Sequence, residues 1–239
     1  MKEIGKIDRN IVARYIGMKG NAPEGELIAL MDKAEKELKE DVAPAVTYKR
    51  FDLEKGEGGI ALSGASLILP GRDIEKLLTD CDEAVLMCAT LGPKVDARIR
   101  KLSAADVAMA LVYDATASVA IDNICDSLQA EIAEKLPGYE QTMRFSPGYG
   151  DLLLELQESF INVLDTKKRV GVSLTEGGML TPVKTVTAVV GLRKKTESKI
   201  QEKDCESKTT EETGEKRGCG LAITCRECAR KNTCSMAVL

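Results

Sequence analysis

Residues 104–135 read AADVAMALVYDATASVAIDNICDSLQAEIAEK, an alanine-rich tract in which Asp106, Asp114, Asp122 and Asp126 interrupt the apolar runs. Helix-favouring residues at this density, with no proline before Pro137-Gly138, predict one long helix or two abutting ones ending at that pair. The apolar part, Ala104 to Ile124, approaches the length of a bilayer span, but Asp106, Asp114 and Asp122 would each be expensive in lipid. The tract therefore argues against a membrane span and for a soluble protein.

Upstream, Glu24 to Glu40 places Leu27, Leu30, Met31, Ala34 and Leu38 at three- and four-residue intervals with charges opposite, which predicts an amphipathic surface helix. Thr47 to Leu53 alternates in period two, and Ile60–Ser63 and Ser66–Leu69 read as short strands divided by Gly64-Ala65. Asp73 to Thr79 suits a short helix. Ala84-Val-Leu-Met-Cys-Ala-Thr90 is a continuous apolar run closed by Leu91-Gly92-Pro93, as expected of a buried strand. Downstream, Leu152 to Asp165 reads as a helix, with strands at Val170–Thr175 and Lys184–Leu192. Strands at both ends of a helical centre predict an α+β fold: a single domain over 1–192 with an antiparallel sheet and long central helices.

At 239 residues with 44% hydrophobic content the chain is long enough for such a core. From Arg193 to Arg217 the composition shifts to eight basic and seven acidic residues, with Ile200 the sole aliphatic. Such a segment cannot bury enough surface to offset its ordering entropy, so 193–217 reads as a flexible linker to a cysteine-rich tail, 218–239.

Composition excludes several functions. With no histidine the chain cannot form imidazole-based triads, HExxH zinc sites or a His-ligated haem. A net charge of -4 gives no global field for a phosphate backbone, so no nucleic-acid partner is expected. Charges at Lys2, Glu3, Lys6 and Asp8 occupy the place of a signal peptide's apolar stretch. A cytoplasmic protein with no membrane partner is expected.

The stretch richest in chemistry is Arg144-Phe-Ser-Pro-Gly-Tyr-Gly150. Pro147-Gly148 favours a type II turn, leaving backbone groups of Phe145, Ser146 and Tyr149 to point outward. Arg144 is a planar fork matched to a carboxylate, and Tyr149 offers an aromatic face with a hydroxyl. Together they suit a small zwitterion with a positive centre; the alternative is a plain surface turn with a solvated arginine.

This turn, followed by Leu154-x-x-Gln157, Gly171-Val-Ser-Leu-Thr-Glu176 and Met179-Leu-Thr-Pro-Val-Lys-Thr-Val-Thr-Ala188, resembles the activation (reactivation) domain of vitamin B12-dependent methionine synthase, above all the short bacterial versions that stand alone. The resemblance is dense over 140–192 and weaker over 84–92 and 104–135. It implies that S-adenosylmethionine binds at the Arg144–Tyr149 turn. Arg144 would hold the methionine carboxylate, Ser146 and Tyr149 would contact the ligand largely through their backbone, and Asp122 is the positional match to the family's acidic contact. Glu176 and Lys184 fall in family-like motifs and would line the same cleft, although Gly177-Gly178 also reads as a simple turn between strands.

The implied task is repair. In the family, a corrinoid oxidised to inactive cob(II)alamin is restored by one electron from a separate donor, such as a flavodoxin or ferredoxin, and by the sulfonium methyl group. A corrinoid module needs an Asp-x-His-x-x-Gly loop, impossible here, so cobalamin would arrive on a methionine synthase partner chain. The protein would be a component of a methyltransferase system in methionine biosynthesis that does not turn over alone, contributing positioning rather than acid–base catalysis. Two departures touch the ligand site. The large synthases' Cys-Pro-x-His is Leu152-Leu-Leu-Glu155 here, and an aromatic pair beyond the last strand is replaced by the charged linker.

A second signal is Cys219-x5-Cys225-x2-Cys228-x5-Cys234, four thiols that could hold tetrahedral zinc or an iron–sulfur cluster, or form only a reducible tail. Cys205 lies outside that spacing, and Cys81, Cys88 and Cys125 read as small buried hydrophobes. The alternative function is an iron–sulfur redox or docking protein delivering electrons to a corrinoid methyltransferase. An ordinary S-adenosylmethionine methyltransferase ranks last, because Gly56-Glu-Gly-Gly59 precedes a short strand instead of opening a helix.

Overall fold

A computed structural model describes residues 3–18 and 23–195. The charged linker beyond Lys195 and the cysteine tail lie outside the described residues.

The elements follow in the order α1 (Arg9–Tyr15), α2 (Glu26–Asp41), β1 (Ala45–Gly56), β2 (Gly59–Leu62), β3 (Ile68–Leu69), α3 (Arg72–Leu77), β4 (Glu83–Thr90), α4 (Pro93–Ala105), α5 (Val107–Lys135), β5 (Tyr139–Gln141), α6 (Gln157–Leu164), α7 (Thr166–Val170), β6 (Ser173–Leu174), β7 (Leu180–Thr181) and β8 (Thr185–Lys194). A turn of 3₁₀ helix, Leu154–Leu156, leads into α6. One sheet runs β3-β2-β1-β4-β8-β5, every pairing antiparallel, and β6-β7 forms a separate hairpin. This is the α+β architecture expected.

The central strand β4 is buried along its whole length because the sheet is covered on both faces. Val85, Met87 and Ala89 meet the core formed with α1, α2, α4 and α5, while Ala84, Leu86 and Cys88 meet a second core with α3 and α6. Strand alternation thus explains an apolar run that would otherwise suggest a parallel sheet. Helix α5, about 43 Å long at 1.5 Å per residue, crosses the first core and buries residues around most of its circumference. Its membrane-like hydropathy is that of a core helix, with 61% of its most apolar window buried.

The tract at 104–135 resolves into two helices. Asp106 ends α4 and caps α5, its carboxylate accepting from Met109 N at 3.0 Å. Helix α4 itself was not legible, because Pro93 reads as a strand stop and here occupies the first turn of a helix, where its missing N–H costs nothing. The predicted helix over 152–165 shortens to the 3₁₀ turn and α6, since Asp165 adopts φ 49° and starts α7. The predicted strand at Val170–Thr175 reduces to Ser173–Leu174, because Val170 ends α7 at left-handed Gly171. Strand β8 runs on through Arg193 and Lys194, paired with β5, so the sheet takes up the first two residues assigned to the linker.

A polar knot ties the helical layer together. Arg98 on α4 forks onto Asp41 at the end of α2, with Nε to Oδ2 at 2.8 Å and Nη2 to Oδ1 at 3.3 Å, and the Tyr113 hydroxyl of α5 donates to Asp41 Oδ2 at 2.9 Å. Three helices are thereby fixed behind the sheet.

Candidate functional site

The Arg144–Gly150 stretch leaves the sheet edge and closes into the predicted turn. Gly148 takes φ 90°, and Tyr149 N–H returns to Ser146 C=O at 3.0 Å, the type II signature. Gly150 has φ 52°, a left-handed conformation that favours glycine, and it sits against the Asp73 carboxylate. Asp151 then anchors the turn to α3, accepting from Arg72 N at 2.7 Å and Asp73 N at 3.2 Å. The expected outward display of backbone groups is corrected in two places. Phe145 pairs with Val189 in both directions, at 2.9 and 2.8 Å, and Tyr149 C=O accepts from Leu152 N at 3.0 Å. Among the described residues, the Ser146 N–H makes no protein hydrogen bond. The Phe145 and Tyr149 rings meet edge to face, centroids 6.3 Å apart.

Against Arg144, which precedes the turn, runs one face of α5. Asp114, Ser118, Asp122, Asp126 and Gln129 follow at intervals of four, four, four and three, which stacks them along a single stripe. Arg144 lies against its C-terminal half. Nη1 donates to Asp126 Oδ1 at 2.6 Å and Gln129 Oε1 at 2.7 Å, and Nη2 stands 4.0 Å from Asp122 Oδ1. The arginine is only 18% exposed, so it is a built part of this cleft and not a solvated surface residue. Lys184, 12% exposed, serves the other half, reaching Asp114 Oδ1 at 2.9 Å and Ser118 Oγ at 2.8 Å. Tyr15, the last residue of α1, donates its hydroxyl to Asp122 Oδ2 at 3.1 Å.

Arg144, Asp122 and Lys184 therefore share the α5 stripe, while Ser146 and Tyr149 lie in the adjoining turn, which Asp151 anchors to α3. Glu176 stands in the exposed turn of the β6–β7 hairpin, closed by Thr175 N to Met179 O at 2.9 Å, and among the described residues no ion pair joins it to Arg144. Cys219, Cys225, Cys228 and Cys234 lie outside the described residues, as does Cys205. Asp126, Gln129, Tyr15 and Asp151 escaped the sequence reading. The four-residue polar spacing inside an apolar helix was a usable signal for Asp126; Tyr15 carried none.

The charges are arranged for a mixed-charge ligand. Although its side chain is 46% exposed, partial desolvation holds the Asp122 carboxyl above the ordinary aspartate range, against the pull of Arg144 and the Tyr15 hydrogen bond. Burial works against the Arg144 charge, yet its acidic neighbours, Asp126 and Asp122 among them, hold its pKa above the usual arginine value. Three aspartates against two cations leave the stripe with a net negative charge suited to a ligand cation, while the Nη2 edge of Arg144 suits a carboxylate. An α-amino acid with a further positive centre satisfies both.

No protein-family model matches the chain, and no curated protein does. Among solved structures it is similar to the crystal structure of the MetH reactivation domain bound to AdoHcy, with a TM-score of 0.62 at 14% identity, over 80% of this chain and 75% of that one. The two share a fold. In this structure the stretch that begins the turn pairs with β8 through Phe145 and Val189.

Proposed function

We propose that the protein is the activation subunit of a cobalamin-dependent methionine synthase, binding S-adenosylmethionine for the reductive remethylation of cob(II)alamin held by a partner chain. The observation that carries this reading is the pairing of the Arg144 guanidinium with Asp122 across 4.0 Å at the mouth of a glycine-shaped turn, in a fold shared with a reactivation domain bound to AdoHcy.

Arg144 would take the ligand carboxylate on its Nη2 edge, because Nη1 is already held by Asp126 and Gln129. Asp122 would face the ligand's positive charge, and the Ser146 N–H would supply a backbone contact. The bound ligand supplies a sulfonium methyl group, and this chain's residues serve to hold and orient it. No acid–base group is required, in keeping with a chain that has no histidine. The cobalamin, and an electron donor such as a flavodoxin or ferredoxin, would come from other proteins.

The test is spectroscopic. A cobalamin-loaded methionine synthase chain, brought anaerobically to the cob(II)alamin state, is given a reductant and S-adenosylmethionine with and without this protein. The reading expects the methylcobalamin spectrum to return only when the protein is present, and at least tenfold more slowly with Arg144→Ala. Equal recovery without the protein contradicts it.

A further inference from the structure

The chain has five tyrosines, three phenylalanines and no tryptophan, and all eight aromatic side chains are described. Six are buried or half-buried; Tyr15 and Tyr149 alone are exposed, at 40% and 37%. Of the two, Tyr15 stands at the Arg144–Asp122 pair, while the Tyr149 ring meets Phe145 edge to face. Tyr149 belongs to the turn already described. Tyr15 arrives from the N-terminal helix and is held at Asp122 by its hydroxyl, 3.1 Å from Oδ2.

Its placement is anchored from several sides. Helix α1 buries Val12 and Ala13 in the first core, and Asp8 caps its start by accepting from Asn10 N at 2.8 Å. Asn123, the neighbour of Asp122 on α5, donates to Ile4 C=O at 2.9 Å and Lys6 C=O at 3.0 Å, tying the segment before α1 to the same turn of α5 that carries the carboxylate. The ring is therefore positioned by the core while it remains open to solvent. An aromatic group exposed in a rigid cleft is a surface on which a planar ligand group can rest.

The two oxygens of Asp122 separate the two ends of the cleft, Oδ1 facing Arg144 and Oδ2 facing Tyr15. A ligand whose carboxylate lies at Arg144 and whose cation lies at Asp122 continues toward Tyr15 with whatever it carries beyond the cation. On the S-adenosylmethionine reading, on which this inference rests, that continuation is the nucleoside. We propose that Tyr15 is a specificity-determining residue whose ring supports the adenine base, with its hydroxyl held in place by Asp122. Base-on-aromatic contacts of this kind are sequence-tolerant and strong enough to change affinity by about tenfold or more.

The experiment titrates S-adenosylmethionine calorimetrically into the full chain as wild type, Tyr15→Phe and Tyr15→Ala, with the thermal midpoint of each variant measured alongside. Tyr15→Phe keeps the ring and loses the bond to Asp122, so it should bind within about threefold of wild type. Tyr15→Ala loses the ring and should weaken binding about tenfold or more at a nearly unchanged midpoint. Equal weakening in both variants would assign the effect to the hydroxyl on Asp122 and overturn the proposal, as would full affinity in Tyr15→Ala. A wild type that does not bind S-adenosylmethionine overturns the underlying reading itself, an outcome distinct from binding that ignores Tyr15.

Discussion

Replacing Asp151 by alanine separates the support of the ligand turn from the stability of the fold. Its carboxylate accepts from Arg72 N at 2.7 Å and Asp73 N at 3.2 Å, so it acts as the cap of α3 from a distant part of the chain. Neither Gly71, which precedes α3, nor any nearer side chain provides that cap. A lost cap costs about 1 kcal/mol, and for a domain of this size that lowers the melting midpoint by about 2–4 °C. The effect on ligand binding is separate. Without Asp151 the turn keeps the Phe145–Val189 pair, Tyr149 N to Ser146 O at 3.0 Å and the two bonds to Leu152, Gly148 N to Leu152 O at 2.8 Å and Leu152 N to Tyr149 O at 3.0 Å, so what loosens is the Gly150–Asp151 link to α3. Re-ordering about one residue on binding costs about 1–2 kcal/mol, a weakening of roughly five- to thirtyfold for S-adenosylmethionine. Asp151→Asn keeps one acceptor oxygen, enough for the 2.7 Å bond from Arg72 N but not for the one from Asp73 N, so it should restore only part of each loss. Differential scanning calorimetry and isothermal titration read the two quantities. A midpoint unchanged in Asp151→Ala, or binding unchanged despite a lowered midpoint, refutes the account of a turn preorganised through α3.

Further expectations concern the core and the titrating groups. A Cβ at Gly191 would lie 2.6 Å from Leu78 Cδ2, 2.7 Å from Cys81 Sγ and 2.9 Å from Thr142 Cγ2, so Gly191→Ala should cost about 1–3 kcal/mol in chemical denaturation, and a neutral result contradicts the packing of β8. Because partial desolvation raises the Asp122 pKa, a ligand cation that favours the ionised form should bind fully at neutral pH and lose affinity as pH falls through that raised value, sooner than at an ordinary aspartate. The same shift makes the free fold gain stability from this group as it takes up its proton, and Asp122→Asn should remove both dependences. Burial pushes the Cys88 thiol up to about 12 and raises that of Cys81, so native protein treated with iodoacetamide at pH 8 should leave Cys81, Cys88 and Cys125 unmodified by peptide mapping; alkylation at Cys88 contradicts its burial.

Periodicity was enough to locate α2, β1, β4 and most of β8, because each buries one face or both against a continuous core. It failed where a single backbone conformation decides the outcome. Pro93 starts a helix that it seemed to forbid, and Asp165 breaks one with φ 49° that an aspartate's sequence context does not announce. The site was legible on its turn side, since Arg144, Pro147 and Gly148 carry strong local preferences. Its opposite wall was only half legible. Asp122 was found by position, but Asp126 and Gln129 gain their meaning from a guanidinium 18 and 15 residues away, and Tyr15 from a carboxylate 107 residues away. Partnerships at such separations are set by how the helices pack, which local sequence does not encode.

The central claim is that the cleft between the Arg144 turn and α5 binds S-adenosylmethionine. Its most direct test is a calorimetric titration of that ligand into the full chain, wild type against Arg144→Ala. Charge-assisted hydrogen bonds are worth about 1.5–3 kcal/mol each, so the account predicts saturable one-to-one binding that weakens by at least tenfold in the variant. Equal binding by the two proteins, or no binding by a folded wild type, contradicts it.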